Sequence, residues 1–101
     1  MNIAKMLKEA QRMQERMTEA QSELATRMIE TAAGGGKVKV TATGTGDIVS
    51  IKIDPQVVDP QDVEFLEDLV LTAVKQALGE AKELSGAEMG KLTGGLKIPG
   101  L

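Results

Sequence analysis

Cysteine and histidine are both absent from the sequence. Without cysteine the chain has no disulfides, thiolate metal ligands or cysteine nucleophiles, a composition that fits a reducing cytoplasm. Without histidine it lacks a common metal ligand and the usual general base. No base stands near the Ser, Thr or Lys residues in the sequence to activate them as nucleophiles. We therefore predict a protein that is not an enzyme and that has no catalytic residues, no metal site and no cofactor.

Aromatic side chains and long apolar runs are also nearly missing. Phe65 is the only aromatic residue among 101. A chain of this length is expected to form one domain, which buries roughly two thirds of the surface of the unfolded chain. Its core must be aliphatic, and such a small core is often completed by a partner subunit. No apolar stretch is long enough for a membrane span or placed as in a signal peptide, so we expect a cytoplasmic protein with no membrane partner.

The charge is negative overall and unevenly distributed. The formal net charge is -3. Residues 1–53 carry eight Lys and Arg against six Asp and Glu, whereas residues 54–101 carry four against nine. Such an asymmetry is found in proteins that bind a polyanion with their positive part, and also where two helices simply differ in charge.

The first segment predicts a long amphipathic helix from Asn2, a suitable N-cap, to about Thr26. Apolar residues recur at alternating steps of three and four from Ile3 onward, which is a heptad pattern. Such a seam packs against another helix, either within the chain or across a dimer. The predicted packing or dimerisation seam, which we call the apolar seam, consists of Met6, Ala10, Met13, Met17 and Leu24.

Four cations share one side of the same helix, beside the apolar seam. Lys5, Lys8, Arg12 and Arg16 fall within an arc of roughly 80° at 100° per residue, and we call them the basic stripe. They could be a solvated flank of a helix pair, neutralised by intrahelical ion pairs such as Arg16 with Glu19. They could also contact phosphates over roughly 16 Å of helix. The residues alone leave both interpretations open.

Three strands are predicted next. The segments are RMIETAA (27–33), KVKVTAT (37–43) and IVSIKI (48–53), joined by glycine-containing turns at 34–36 and 44–47. Such short connections favour a three-stranded antiparallel meander. The alternating pattern predicts two apolar faces, made by Val38, Val40 and Ala42 in one strand and by Val49, Ile51 and Ile53 in the next.

A second helix is predicted from Asp59 as N-cap, with Pro60 at the first helical position, to about Leu84. Ser85 and Gly86 are predicted to end it. The expected fold class is therefore α+β, in the order α-β-β-β-α, with the helices and a meander sheet in two layers. We expect a single domain over residues 1–84 and a glycine-rich, flexible tail over residues 85–101.

Two motifs that suggest ligand chemistry have simpler explanations. GAEMGKLTGG (86–95) has too short a glycine spacing for a phosphate-binding loop, and Leu92 follows its lysine. Asp54 and Asp59 each precede a proline, where aspartate commonly starts a turn or caps a helix. Neither segment therefore alters the prediction that small-molecule substrates and metals are absent.

Four segments, in order along nearly the whole chain, match the pattern of a known family. They are LKEAQRMQERM (7–17), VKVTATGTGDIVSIKIDP (38–55), DVEFLEDLVLTAVKQAL (62–78) and MGKLTGGLKIPGL (89–101). On these segments the chain resembles the YbaB/EbfC family of bacterial nucleoid-associated proteins. The resemblance implies the α-β-β-β-α core, a homodimer with a tweezer-like shape, and binding to double-stranded DNA in the nucleoid.

The resemblance also bears on individual residues. Lys8 and Arg16 match basic positions of the family pattern, whereas Lys5 and Arg12 are included because they lie on the same helix face. The second helix departs from a DNA-binding surface, because it carries Lys75 and Lys82 among a larger number of acidic residues.

The leading hypothesis is therefore a nucleoid-associated protein that binds double-stranded DNA as a homodimer, mainly through phosphate contacts from the N-terminal helix. The alternative is a protein-interaction adaptor that uses the apolar seam and the glycine-rich tail.

Overall fold

The computed structural model describes residues 2–93 and has the predicted order of elements. Helix α1 spans Ile3–Thr26, strands β1, β2 and β3 span Met28–Ala33, Val38–Thr43 and Ile48–Ile53, and helix α2 spans Val63–Thr93. A single turn of 3-10 helix at Pro55–Val57 lies between β3 and α2. The predicted α+β class is confirmed.

Helix α1 begins where the sequence predicts. The Asn2 side-chain oxygen accepts a hydrogen bond from the Lys5 backbone N–H at 3.2 Å, which is the geometry of an N-cap. No glycine or proline interrupts the helix before Arg27, whose extended backbone ends it. A helix of 24 residues is roughly 36 Å long.

The sheet is the predicted antiparallel meander, with β2 between β1 and β3. The turn from β1 to β2 is made by Gly34, Gly35 and Gly36, whose φ angles are 63°, 67° and 87°. Because a side chain makes these left-handed angles costly, three consecutive glycines suit this hairpin. Val40 of β2 lies opposite Thr31 of β1 and Ile51 of β3.

Strand β3 contains an irregularity that simple alternation does not predict. Ala42 is paired with Ile48 and Thr41 with Ser50, which leaves Val49 as the extra residue of a β-bulge. Ile48 therefore takes the position opposite Ala42 that the predicted alternation gave to Val49. Ile51 and Ile53 keep their predicted face.

The core lies between α2 and the first two strands. Val38, Val40 and Ala42 of β2 are fully buried against Ala73 and Ala77 of α2. The two alanines are four residues apart and so lie on one side of the helix. Helix α2 packs on β1 and β2 and makes little contact with β3, where Ile51 and Ile53 remain 43% and 39% exposed.

The predicted N-cap of α2 is wrong. The cap is Asp62, whose carboxylate accepts a hydrogen bond from the Phe65 backbone N–H at 3.3 Å. Asp59 instead closes a turn before the helix, accepting from the Gln61 N–H at 2.9 Å. Because Pro60 suits position i+1 of such a turn as well as a first helical position, the sequence signal was ambiguous between them.

The predicted end of α2 at Leu84 is also wrong, because the helix continues through Ser85 and Gly86 to Thr93. A single helical glycine costs about 1 kcal/mol relative to alanine. Here strong helix formers follow it, and Glu88 forms an ion pair with Arg27 at 3.8 Å. Residues 85–93 of the predicted tail are thus helical, whereas residues 94–101 lie outside the described part.

Thr31 joins the two layers by a hydrogen bond. Its hydroxyl, in a side chain that is almost fully buried, donates to the Ala73 carbonyl oxygen at 2.7 Å. We expect Thr31→Val to lower the free energy of unfolding by about 1 kcal/mol, because the shape is kept and the hydrogen bond is removed. Thr31→Ser keeps the hydroxyl, so it tests whether the loss of stability in Thr31→Val comes from the missing hydrogen bond.

Urea unfolding followed by circular dichroism measures this difference. Thr72→Val is the matched control, because the exposed Thr72 hydroxyl bonds only to its own helix, and its effect is expected within about 0.5 kcal/mol. Equal stability of Thr31→Val and the native chain would contradict the assigned role.

Candidate nucleic-acid interface

The basic stripe is exposed and forms no ion pair among residues 2–93. All four side chains, Lys5, Lys8, Arg12 and Arg16, lie on the exposed surface of α1. Among residues 2–93 no carboxylate oxygen lies within 4 Å of any of them. The pair of Arg16 with Glu19, which a neutralised flank would contain, is not formed. Both interpretations of the stripe, as a solvated flank and as a phosphate-contacting surface, therefore stay predictions.

The stripe is limited to the first half of α1. From Lys5 to Arg16 the helix rises roughly 16 Å. Glu19 and Glu23 occupy the same side of the helix farther along and reverse the sign of the charge. The positive surface is therefore a short, straight row of four cations next to an acidic end.

Much of α1 extends away from the sheet. Only Ala20 and Leu24 are buried, Met13 is half-buried, and the other described residues of the helix are exposed. The molecule is 70 Å long but only 26 Å and 16 Å in the other directions. Its radius of gyration of 19.5 Å exceeds the roughly 13 Å of a compact chain of this length. We call residues 3–19 of α1 the arm.

The apolar seam is divided by the structure. Leu24 is 1% exposed and packs inside its own chain, so its packing role needs no partner. Met6, Ala10 and Met17 lie exposed on the arm, and Met13 is half-buried. Three of these residues are therefore uncovered and Met13 is partly covered within the described chain, and the role of all four in dimerisation stays a prediction.

Gly44 connects the C-terminal end of α1, from which the arm extends, to the sheet. Its backbone N–H donates to the carbonyl oxygens of Leu24 at 3.0 Å and Arg27 at 2.9 Å. A Cβ atom at position 44 would lie 2.7 Å from the Leu24 carbonyl oxygen, a distance too short for any side chain. The end of α1 is thereby held against the turn that joins β2 and β3. Sequence analysis assigned Gly44 only to a turn, because this contact joins residues far apart in the chain.

An apolar surface that sequence analysis did not identify lies where β3 meets α2. A groove of about 410 Å³ is open there to solvent. Its lining is aliphatic apart from Glu67, and Leu71 on its rim is 52% exposed. We call it the β3–α2 groove; its residues are Ile53, Leu66, Glu67, Val70, Leu71 and Val74.

Asp54 has a structural role at the end of β3. Its carboxylate accepts hydrogen bonds from the Gln56 backbone N–H at 2.9 Å and from Lys37 Nζ at 3.4 Å. The bond from Gln56, followed by the bond and charge of Lys37, holds the pKa of this carboxyl below its ordinary value of 3.8. Asp54 thus starts the short 3-10 turn after β3, as the sequence indicated.

Metal sites and membrane-spanning helices were two further possibilities for the part of the chain that is described. No group of three or more acidic side chains there could hold a metal ion. Neither of its two long helices is apolar enough to cross a membrane.

Comparison with known proteins gives a matching family, similar sequences and a similar fold. The profile of the YbaB/EbfC DNA-binding family matches residues 1–96. The chain is similar to a protein named nucleoid-associated protein from Pelotomaculum thermopropionicum, with 53% identity over 99% of this chain and 95% of that one. A protein of the same name from Desulforamulus reducens is 56% identical over the same shares. The fold of the present chain is similar to that of an uncharacterized protein from Helicobacter pylori, with a TM-score of 0.84 and 17% sequence identity. The match covers 91% of this chain and 97% of that one.

Gly44→Ala tests the connection between the arm and the sheet. Because the new Cβ would meet backbone rather than a flexible side chain, we expect the free energy of unfolding to fall by about 1–3 kcal/mol, on the order of other overpacked sites. Hydrogen exchange at the last turn of α1 should also become faster, since the two bonds to Gly44 are disturbed.

Gly79→Ala is the matched control. Position 79 is helical and nothing lies within 4 Å of a Cβ there, so this change should raise stability by up to about 1 kcal/mol. Unchanged stability and exchange in Gly44→Ala would contradict the role given to Gly44.

Proposed function

The chain belongs to the YbaB/EbfC DNA-binding family, and on that basis we propose that it is a nucleoid-associated protein of the cytoplasm that binds double-stranded DNA as a homodimer. The contacts are made mainly between DNA phosphates and the basic stripe, Lys5, Lys8, Arg12 and Arg16. The observation that carries the proposal is that these four exposed cations have no carboxylate within 4 Å among residues 2–93. Phosphates supply the missing countercharge.

A duplex fits the basic stripe better than a single strand does. Proteins that bind single strands stack bases on aromatic side chains. The only aromatic residue, Phe65, lies in the first turn of α2 and not on the arm. A straight helix with charges over roughly 16 Å matches several phosphates of a regular backbone or groove edge. Contacts of this kind position the protein but carry little sequence information.

The acidic character of the remaining chain limits the strength of binding. Helix α2 carries Lys75, Lys82 and Lys91 among a greater number of Asp and Glu residues. It is therefore repelled by DNA on its exposed side, and α1 has to face the duplex. Because the attraction comes from contacts between cations and phosphates, we expect the affinity to fall as salt rises, and because these contacts are few, we expect it to be modest even at low salt.

Two uncovered apolar surfaces support the homodimer. The β3–α2 groove joins the exposed Ile53 to Leu71 and Val70 in one aliphatic surface, and the arm exposes part of the apolar seam. Aliphatic surface that is left bare in one copy is a candidate contact site for a second copy. A second copy seated on the β3–α2 groove would cover β3 on the side that α2 leaves bare.

Replacing the four stripe residues by glutamine tests the DNA-binding proposal. We expect the quadruple variant to lose binding to a duplex in a mobility-shift assay, while its dimerisation is unchanged. For the native dimer, eight phosphate contacts would give a slope of about -7 in a plot of log affinity against log salt, and fewer contacts would give a shallower one.

The matched control exchanges Lys5 and Lys8 for arginine and Arg12 and Arg16 for lysine, which keeps every charge. This variant should bind much as the native chain does. Full binding by the glutamine variant would refute the stripe. Absence of duplex binding at low salt, together with a salt-insensitive protein partner, would favour an adaptor instead.

Leu71→Glu tests the proposed dimer surface. Leu71 is half-exposed in the single chain, so the fold should tolerate the change, whereas a charge buried between two copies is costly. We expect the variant to sediment as a monomer at concentrations where the native chain is a dimer. Gln76→Glu adds the same charge on another side of α2 and should leave the dimer intact. A dimeric Leu71→Glu variant would exclude the β3–α2 groove as the interface.

A further inference from the structure

We infer that the face of the sheet opposite α2 is a second surface that contacts DNA phosphates, through Lys39 and Lys52. The inference rests on the proposed binding of double-stranded DNA and adds a contact surface outside the basic stripe. It starts from the register of the two strands. Lys39 of β2 and Lys52 of β3 are direct cross-strand partners, and both side chains are exposed.

A pair of this kind is unfavourable in the isolated chain. The Cβ atoms of direct partners are about 4.5–5.5 Å apart, and like charges in these positions destabilise a sheet. No carboxylate oxygen of residues 2–93 lies within 4 Å of either Nζ atom. Glu30 of β1 shares this face but is paired with Thr41, one row away. The repulsion between the two ammonium groups is therefore not relieved by an ion pair within the described chain.

Lys37, only two residues before Lys39, shows the contrast. Its Nζ atom donates to Gln56 Oε1 at 2.6 Å and to Asp54 Oδ2 at 3.4 Å. That lysine has a structural role at the end of the sheet. Lys39 and Lys52 have no comparable partner among the described residues, so a structural role does not account for their pairing.

The surroundings of the pair suit the backbone of a nucleic acid. Ala32 lies opposite Lys39 on the other side, and Thr41 lies opposite Ser50 in the next row. The neighbours are thus a methyl group and two hydroxyls, with the Glu30 carboxylate farther along the second row, and hydroxyls are ordinary donors to phosphate oxygens. Two lysines on such a surface complement a polyanion in charge, and the polyanion of the proposed function is DNA.

This face stays available in the proposed dimer. The β3–α2 groove lies on the side of the sheet that α2 covers, so a second copy seated there leaves the opposite side open. A dimer then presents four such lysines in addition to its two stripes. These lysines lie on the strands and the stripe lies on the arm, so substitutions can test the contribution of each surface to DNA binding independently.

A salt titration of duplex binding with Lys39→Gln/Lys52→Gln tests the inference. We expect weaker binding and a slope shallower by about 0.9 for each phosphate that the variant no longer binds, up to about 3.6 for four. Thermal stability should be unchanged or higher, because the like-charge pair is removed. Lys39→Arg/Lys52→Arg keeps the charges and should bind as the native chain does.

Lys75→Gln/Lys82→Gln controls for the removal of two positive charges anywhere in the chain. A reduction equal to that of Lys39→Gln/Lys52→Gln would show a general charge effect and overturn the inference. The inference would also be overturned if Lys39→Gln/Lys52→Gln bound DNA with the same affinity and salt slope as the native chain. If the stripe variant failed to bind in the same experiments, the proposed function would still stand. If the native chain bound no duplex at all, both proposals would fail together.

Discussion

The close approach of α2 to the sheet through alanine side chains determines most of the architecture. Ala73, Ala77 and Ala81 recur every four residues along one side of α2 and are buried. Because a methyl group occupies little depth, the helix backbone comes near enough for the Thr31 hydroxyl to reach the Ala73 carbonyl at 2.7 Å. A helix that packs this closely covers two strands and leaves the third bare. Because α2 lies over β1 and β2, the apolar edge at β3 stays exposed.

The same packing explains why the molecule is elongated. Six-residue strands are roughly 20 Å long, whereas the 31 residues of α2 extend roughly 46 Å, so the helix must overhang the sheet. Leu24 and Ala20 of α1 are buried near this end, and Gly44 holds the last turn of α1 by two backbone bonds. The remainder of α1 has no sheet to pack on. The basic stripe consequently lies on a segment that extends beyond the sheet, and α1 contacts α2 more than it contacts the strands.

Sequence patterns predicted the features that depend on neighbours in the chain. The heptad spacing of apolar residues predicted helix α1, and Asn2 predicted its N-cap. The alternation of apolar and polar residues predicted the central strand, with Val38 and Val40 facing the core. The cap of α2 was misplaced by three residues because Asp59 and Asp62 both precede suitable turns. The helix continues beyond Gly86 because a single glycine lowers helix stability without ending a helix, a distinction that the local pattern did not make. The β3–α2 groove was missed for a related reason: alternation shows that Ile53 faces the helix layer but not that the helix stops short of it.

An acidic chain can bind an acidic polymer if most of its negative charges lie farther from its positive surface than the distance over which salt screens a charge. That distance is about 8 Å at physiological ionic strength. From Lys5 to Arg16 the described helix carries four cations and two glutamates, Glu9 and Glu15, and most of the other acidic residues lie on α2 or toward the end of α1. A phosphate near Lys8 is therefore affected mainly by the arm, and the net charge of -3 has little effect on it. The elongated shape thus permits binding that the total charge would oppose in a compact molecule, and it does so because α1 finds so little of the sheet to pack against.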